Sequence, residues 1–93
     1  MVEVIVEYLI WDDWNINHIK KHQVKVEEVR ETVKSKTKTL KSYQKRILIL
    51  GRTEKKRLLT VVLAKEKKNN YYVVTARDMS RKERRYYHDQ KNS

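Results

Sequence analysis

No cysteine occurs in the 93 residues. That excludes a disulfide framework, thiolate catalysis and thiolate metal sites, and it fits a reducing compartment. No apolar run approaches the roughly 20 residues that a membrane-spanning helix needs. The amino terminus, Met1-Val2-Glu3-Val4-Ile5-Val6-Glu7, alternates acid and valine. It lacks the basic start and continuous apolar core of a secretory signal. The expectation is a soluble, cytoplasmic protein without a membrane partner. Glycine is almost missing as well, since Gly51 is the only one. No internal repeat or second domain is visible, and the length suits one domain, residues 1–93, with a modest core.

What is abundant is positive charge. The net charge is +11, and it is uneven: residues 1–33 carry four Lys/Arg against seven Asp/Glu, and residues 34–93 carry nineteen against five. Such asymmetry points to a polyanion, either nucleic acid or an acidic protein. For the run from Lys34 to Lys45 the plainer reading is a solvated, lysine-rich surface. The arginines further on are different, because a planar guanidinium fork suits phosphate.

Those arginines belong to the stretch from Tyr71 to Gln90. Tyr71-Tyr72-Val73-Val74-Thr75-Ala76 is aromatic and β-branched, a strong strand signal that ends at Arg77. Ser80-Arg81-Lys82-Glu83 has the S-x-x-E spacing of a helix capping box. The helix it opens places Arg81, Arg84, Arg85 and His88 on one face, with Met79, Glu83 and Tyr86 on the other.

Earlier in the chain, Val2, Val4 and Val6 alternate with Glu3 and Glu7, predicting a first strand that runs to about Trp11. Asp12 or Asp13 is a good N-cap for a helix to about His22. On that helix Trp14, His18 and Lys21 share one face, while Ile16 and Ile19 lie on the side expected to be buried. Val26, Val29 and Val33 recur at helical spacing and predict a second, amphipathic helix. Lys34 to Ser42 is polar and aperiodic, so residues 34–43 are expected to form an exposed, mobile loop; residues 90–93 are expected to be a disordered tail. Strand signals follow at Arg46–Leu50, Arg57–Ala64 and Tyr71–Ala76. Their short connections imply antiparallel neighbours. The fold class is therefore α+β, in the order β-α-α-β-β-β-α, with a twisted, mainly antiparallel sheet and helices packed on it.

Several strings in this order resemble one family. They are Trp11-Asp12, Asn15 and His18, Lys21-His22, Val24 and Glu27-Glu28, then Gly51-Arg52-Thr53, Arg57-Leu58-Leu59, and Thr75-Ala76-Arg77 with Glu83-Arg84-Arg85 and Tyr87. The set resembles the BrnT family of bacterial toxins, small members of the RelE-like ribonuclease group, over about Tyr8 to Tyr87. The resemblance implies a RelE-like fold and metal-independent RNA cleavage that inhibits translation. It also implies neutralisation by a cognate ribbon-helix-helix antitoxin (BrnA-like), with operator DNA bound only through the antitoxin complex. No cofactor is implied, and a homodimer stays open. The chain departs from the family pattern at three turns: Gln23 and Lys56 stand where glycine is usual, and Lys25 where a small polar cap is usual.

RNA cleavage without a metal needs activation of the 2′-hydroxyl, donors for charge developing on the phosphate, and an acid for the leaving 5′-oxygen. Arg57 and Arg77, at strand ends and at family positions, are the expected phosphate clamp. The alternative is that each pairs with a carboxylate such as Glu28 or Glu83 and holds a helix on the sheet. His18 and Lys21 are the expected acid–base pair, histidine being the side-chain type that titrates near neutrality. His22 reads better as a helix-end cap. His18-x-x-x-His22 has metal-ligand spacing but lacks the zincin glutamate, so no metal site is expected. Trp14, Arg52, Arg81, Arg84, Arg85, Tyr87 and His88 are candidates for contact with RNA or antitoxin; Tyr86 is assigned to packing. The leading function is a ribonuclease toxin. The alternatives are a non-catalytic basic module that binds RNA or protein, or a degenerate toxin that keeps only antitoxin binding.

Overall fold

A computed structural model describes residues 4–89. Its elements are β1 (Tyr8–Ile10), α1 (Asp13–Lys20), α2 (Val26–Lys34), β2 (Lys38–Lys41), β3 (Arg46–Arg52), β4 (Leu58–Lys67), β5 (Asn70–Asp78) and α3 (Arg81–His88). The strands form one sheet in the order β1-β5-β4-β3-β2. β2, β3, β4 and β5 pair antiparallel in sequence, and β1 pairs parallel to β5. The α+β class, the three antiparallel strand signals and the three helices thus agree with expectation. Among the described residues no helix is long and apolar enough to cross a membrane.

Two strand expectations need correction. The first strand covers only Tyr8–Ile10; Val4 to Glu7 lie outside the sheet, and the expected start at Val2 falls outside the described residues, as does the tail at 90–93. The supposed loop at 34–43 contains β2, whose Thr39 pairs with Ile49 and whose Leu40 pairs with Leu48. Edge strands are often short and lysine-bearing, because charge discourages further pairing. Lys38 and Lys41 therefore mask a strand without forbidding it. A tight turn at Tyr43–Lys45 then returns the chain to β3, with Gln44 at φ 57°.

Strand alternation sorts the sheet into two faces. On one, Leu59, Val61 and Leu63 of β4 join Ile49, Tyr71, Val73 and Ala76, and meet Ile19, Val24 and Val29 from α1, α2 and their connection. This is the main core. Ile19 is buried as expected, while Ile16 is half-buried. α3 lies against the other face, where Thr60 and Leu50 are fully buried.

The helix ends explain several sequence features. Asp12 is the N-cap of α1: its carboxylate accepts from the Asn15 N–H at 2.9 Å, and the Asn15 side chain accepts from the Asp12 N–H at 2.9 Å. Buried Asn15 also donates to the Ile10 carbonyl, fastening α1 to β1. α1 closes at Gln23, which sits at φ 60°, with the Val24 N–H returning to the Ile19 carbonyl. Lys56, in the β3–β4 turn, sits at φ 70°. Both residues, named above among the three turn departures, thus hold left-handed conformations that favour glycine. The third departure, Lys25, is the N-cap of α2 and offers no side-chain acceptor. Glu28 compensates in part by accepting from the Lys25 N–H at 3.0 Å.

Gly51 answers a different need. A Cβ there would lie 2.6 Å from Ser35 Oγ and 2.7 Å from the Thr32 carbonyl oxygen. The end of α2 can therefore seat on β3 only because this residue has no side chain. Gly51→Ala is expected to destabilise the fold by about 1–3 kcal/mol through overpacking. Gln23→Gly and Lys56→Gly are expected to stabilise it by about 1 kcal/mol each by relieving left-handed strain. Denaturant midpoints of the three variants check both signs.

Candidate functional site

Arg57 emerges from the turn that precedes β4. Its Nε donates to Asp78 Oδ1 at 2.9 Å, and Nη1 donates to Glu28 Oε1 at 3.2 Å and to the Gln23 carbonyl at 2.7 Å. Nη2 donates to the His22 carbonyl at 3.2 Å. Asp78 chiefly, with Glu28, raises the Arg57 pKa against the partial burial that opposes it. One guanidinium thus joins the end of α1, the first turn of α2 and the end of β5. The cap expected from the His22 side chain is not formed: backbone N–H groups of Lys21, His22 and Gln23 cap the last carbonyls of α1, and Arg57 holds the turn that follows through the His22 and Gln23 carbonyls.

Arg77 is equally engaged. Nη1 and Nη2 meet the two oxygens of Glu83 at 2.7 and 2.9 Å, a bidentate pair. Glu83 Oε1 also accepts from Thr60 Oγ1 at 2.8 Å and from the Ser80 N–H at 2.8 Å. Arg77 above all, helped by these two donors, holds the Glu83 carboxyl at about 2 although partial burial pulls the other way. The capping box read from Ser80 and Glu83 is present, and its glutamate is also the ion-pair partner that docks α3.

The expected two-arginine clamp is therefore not assembled in this conformation. Arg77 pairs across from Thr60, on the α3 side of the sheet, and Asp78 pairs across from Leu59, on the α1–α2 side. Arg57 follows Asp78, so the two arginines work on opposite faces. Each occupies the carboxylate-pairing alternative.

His18 has a defined setting. Trp14, which is 58% exposed, stacks on its ring at 4.7 Å between centroids and 10° between planes. The His22 ring stands edge-on at 5.7 Å. Among the described residues no protein group hydrogen-bonds either imidazole, and Lys21 lies exposed beside them at the C-cap of α1. Trp14, His18, Lys21 and His22 are thus brought together on one surface, half-exposed to exposed. Arg57 abuts its end through the His22 carbonyl.

The remaining candidates are dispersed. Arg81, Arg84, Arg85 and His88 are exposed along α3, as the helical wheel predicts, and make no ion pair among the described residues. Tyr87 donates its hydroxyl to the Lys36 carbonyl at 2.7 Å, so its phenol serves to fix α3 against the segment before β2. Tyr86 lies under the Lys38 ammonium, 5.3 Å from its ring centre. Arg52 is exposed at the end of β3. Sequence reasoning missed Lys38, which donates to the carbonyls of Tyr86 at 2.9 Å and Asp89 at 2.7 Å, at the end of α3. Only tertiary structure could reveal that role, as the partners are about fifty positions away. Among the described residues no three His, Cys, Asp or Glu side chains form a group able to hold a metal.

Glu83 generates a pH prediction. Its folded pKa of about 2 lies below the ordinary 4.5, so folding favours the carboxylate. The resulting stability is complete above pH 4.5 and is lost as pH falls through about 2. Glu83→Gln should remove this dependence and lower stability near neutrality by about 1–2 kcal/mol, solvent on the outer side of Arg77 screening part of the pair. Urea midpoints from pH 2 to 7, wild type against variant, measure it. No protein-family profile matches the chain, and no curated protein matches it significantly.

Proposed function

We propose that the chain is a metal-independent ribonuclease toxin with a RelE-like fold, acting through the α1 surface. The observation that carries this reading is the His18 imidazole, stacked on Trp14 and unclaimed by any protein hydrogen bond among the described residues. A ring held in this way can exchange a proton with a bound 2′-hydroxyl or leaving 5′-oxygen. Exposed Trp14 offers a face on which an RNA base can stack. Lys21 supplies positive charge beside them. In this assignment Arg57 and Arg77 are positioning residues: Arg57 fixes the end of α1 and Arg77 fixes α3. The exposed arginines of α3 provide a surface for a cognate ribbon-helix-helix antitoxin, through which the pair would reach operator DNA.

A second reading has its own support. Arg57 and Arg77 spend their donors on carboxylates, which leaves no paired arginine clamp for a transition state. A non-catalytic RNA-binding module would show salt-sensitive binding without cleavage.

Incubation of the purified protein with RNA in the presence of a chelator separates the two. The toxin reading expects fragments that end in 2′,3′-cyclic phosphate and 5′-hydroxyl. His18→Ala should slow their formation roughly a hundredfold or more, the usual scale of a lost acid or base, with an unchanged unfolding midpoint. RNA that stays intact under conditions where it binds would sink the enzyme claim and leave the binding module.

A further inference from the structure

We infer that the groove between the end of α2 and the β3–β4 turn is a subsite for the phosphate backbone of a nucleic-acid strand. The inference rests on the reading that RNA is the ligand, and it assigns a place away from the His18 surface. The groove has a volume of about 520 Å³, within the size range of small-ligand clefts. Arg30, Lys34, Lys36, Arg52 and Lys56 line it, against the two carboxylates Glu31 and Glu54. Among the described residues none of the five cationic heads forms an ion pair or side-chain hydrogen bond. One oxygen of Glu31 is occupied by the Glu54 N–H at 3.2 Å.

The frame beneath these cations is fixed. Ser35 Oγ donates to the Thr32 carbonyl at 2.7 Å and accepts from the Arg52 N–H at 3.0 Å, in the close approach that Gly51 permits. Buried Thr53 holds the turn: its Oγ1 accepts from the Arg57 N–H at 3.0 Å and its carbonyl accepts from the Lys56 N–H at 2.9 Å. A helix C-terminus disfavours an anion, but here the Thr32 carbonyl is covered by Ser35, and Lys34 stands in the same turn. The groove therefore presents cations from three rigid places, and together they outnumber the carboxylates by three.

The lining also decides the kind of partner. It contains no aromatic and no large aliphatic side chain. A protein partner would want an apolar or aromatic centre to bury, and a base would want a ring to stack on. Neither is offered. What fits is a sugar–phosphate segment, contacted through charge and without regard to sequence.

The test uses the full chain and a short 2′-O-methyl RNA strand, which cannot be cleaved through its 2′-oxygen. Fluorescence anisotropy across a salt series gives affinity and its salt slope. The triple variant Lys34→Gln, Arg52→Gln, Lys56→Gln should bind roughly tenfold or more weakly, with a slope smaller by about two, the value for three lost single-strand phosphate contacts. A second triple, Lys65→Gln, Lys67→Gln, Lys68→Gln, removes the same charge near the β4–β5 turn and should change both far less. Unfolding midpoints confirm that both fold; should the groove triple fail, Arg52→Gln alone is measured, with a slope change of about 0.7 expected. Equal losses from both triples, or none from the groove set, overturn the subsite, including the case in which the groove set loses binding to an acidic protein instead. Wild type that binds no strand overturns the RNA reading itself.

Discussion

The structure depends on one guanidinium. α1 and α2 are short helices whose apolar stripes cover one side of the sheet, and neither would hold a fixed angle by hydrophobic contact alone, since that contact is non-directional. Arg57 supplies direction. It binds the His22 and Gln23 carbonyls in the turn after α1, the Glu28 carboxylate in the first turn of α2 and the Asp78 carboxylate at the end of β5. Glu28 in turn satisfies the N–H of Lys25 at the start of α2. The two helices and the sheet therefore share one charged junction, about a quarter exposed on its arginine and Glu28 sides. In such a partly desolvated place, removing one member leaves the others unpaired, which costs more than the pair itself contributes.

A second junction mirrors the first across the sheet. Successive residues of a strand face opposite ways, so Arg77 and Asp78 serve opposite layers. Asp78 completes the Arg57 junction, and Arg77 grips Glu83 on α3. Thr60, buried without exposure, gives its hydroxyl to the same Glu83. Several residues singled out in the sequence are therefore architectural in this chain. Asn15 fastens α1 to β1, Gly51 admits the end of α2, Thr53 closes a turn, and the two strand-end arginines hold helices.

Much of this was legible in the sequence and some was not. Local rules found the Asp12 cap, the Ser80–Glu83 box, the valine stripe of α2 and strands β3 to β5, because each is written in a few neighbouring residues. β2 was hidden, since its lysines resemble a solvated loop and its reason for existing is the strand beside it. The parallel pairing of β1 was hidden too, because it joins residues some sixty positions apart. For the site, wheel geometry placed Trp14, His18 and Lys21 together and left the arginines of α3 exposed. It could not decide whether Arg57 and Arg77 stood free or paired. Both options satisfied the sequence, and the carboxylates that decided the matter come from other elements.

The charge of the molecule divides accordingly. With a net charge of +11, the fold carries a steady cost of self-repulsion. Only charges that hold elements together offset it from within, and among the described residues the ion pairs formed are those of Arg57 and Arg77. The other described Lys and Arg side chains form no ion pair among the described residues, including the cations of the α2 groove and of the outward face of α3. A surface built for solubility alone would intersperse the two signs. Here most acids lie in the first third of the chain, and Glu28, Asp78 and Glu83 are drawn into junctions, which leaves the later elements cationic. Pairing two arginines internally thus fixes the layers and removes the carboxylates that would otherwise mask the outer surface. The same arrangement that holds the fold leaves that surface cationic.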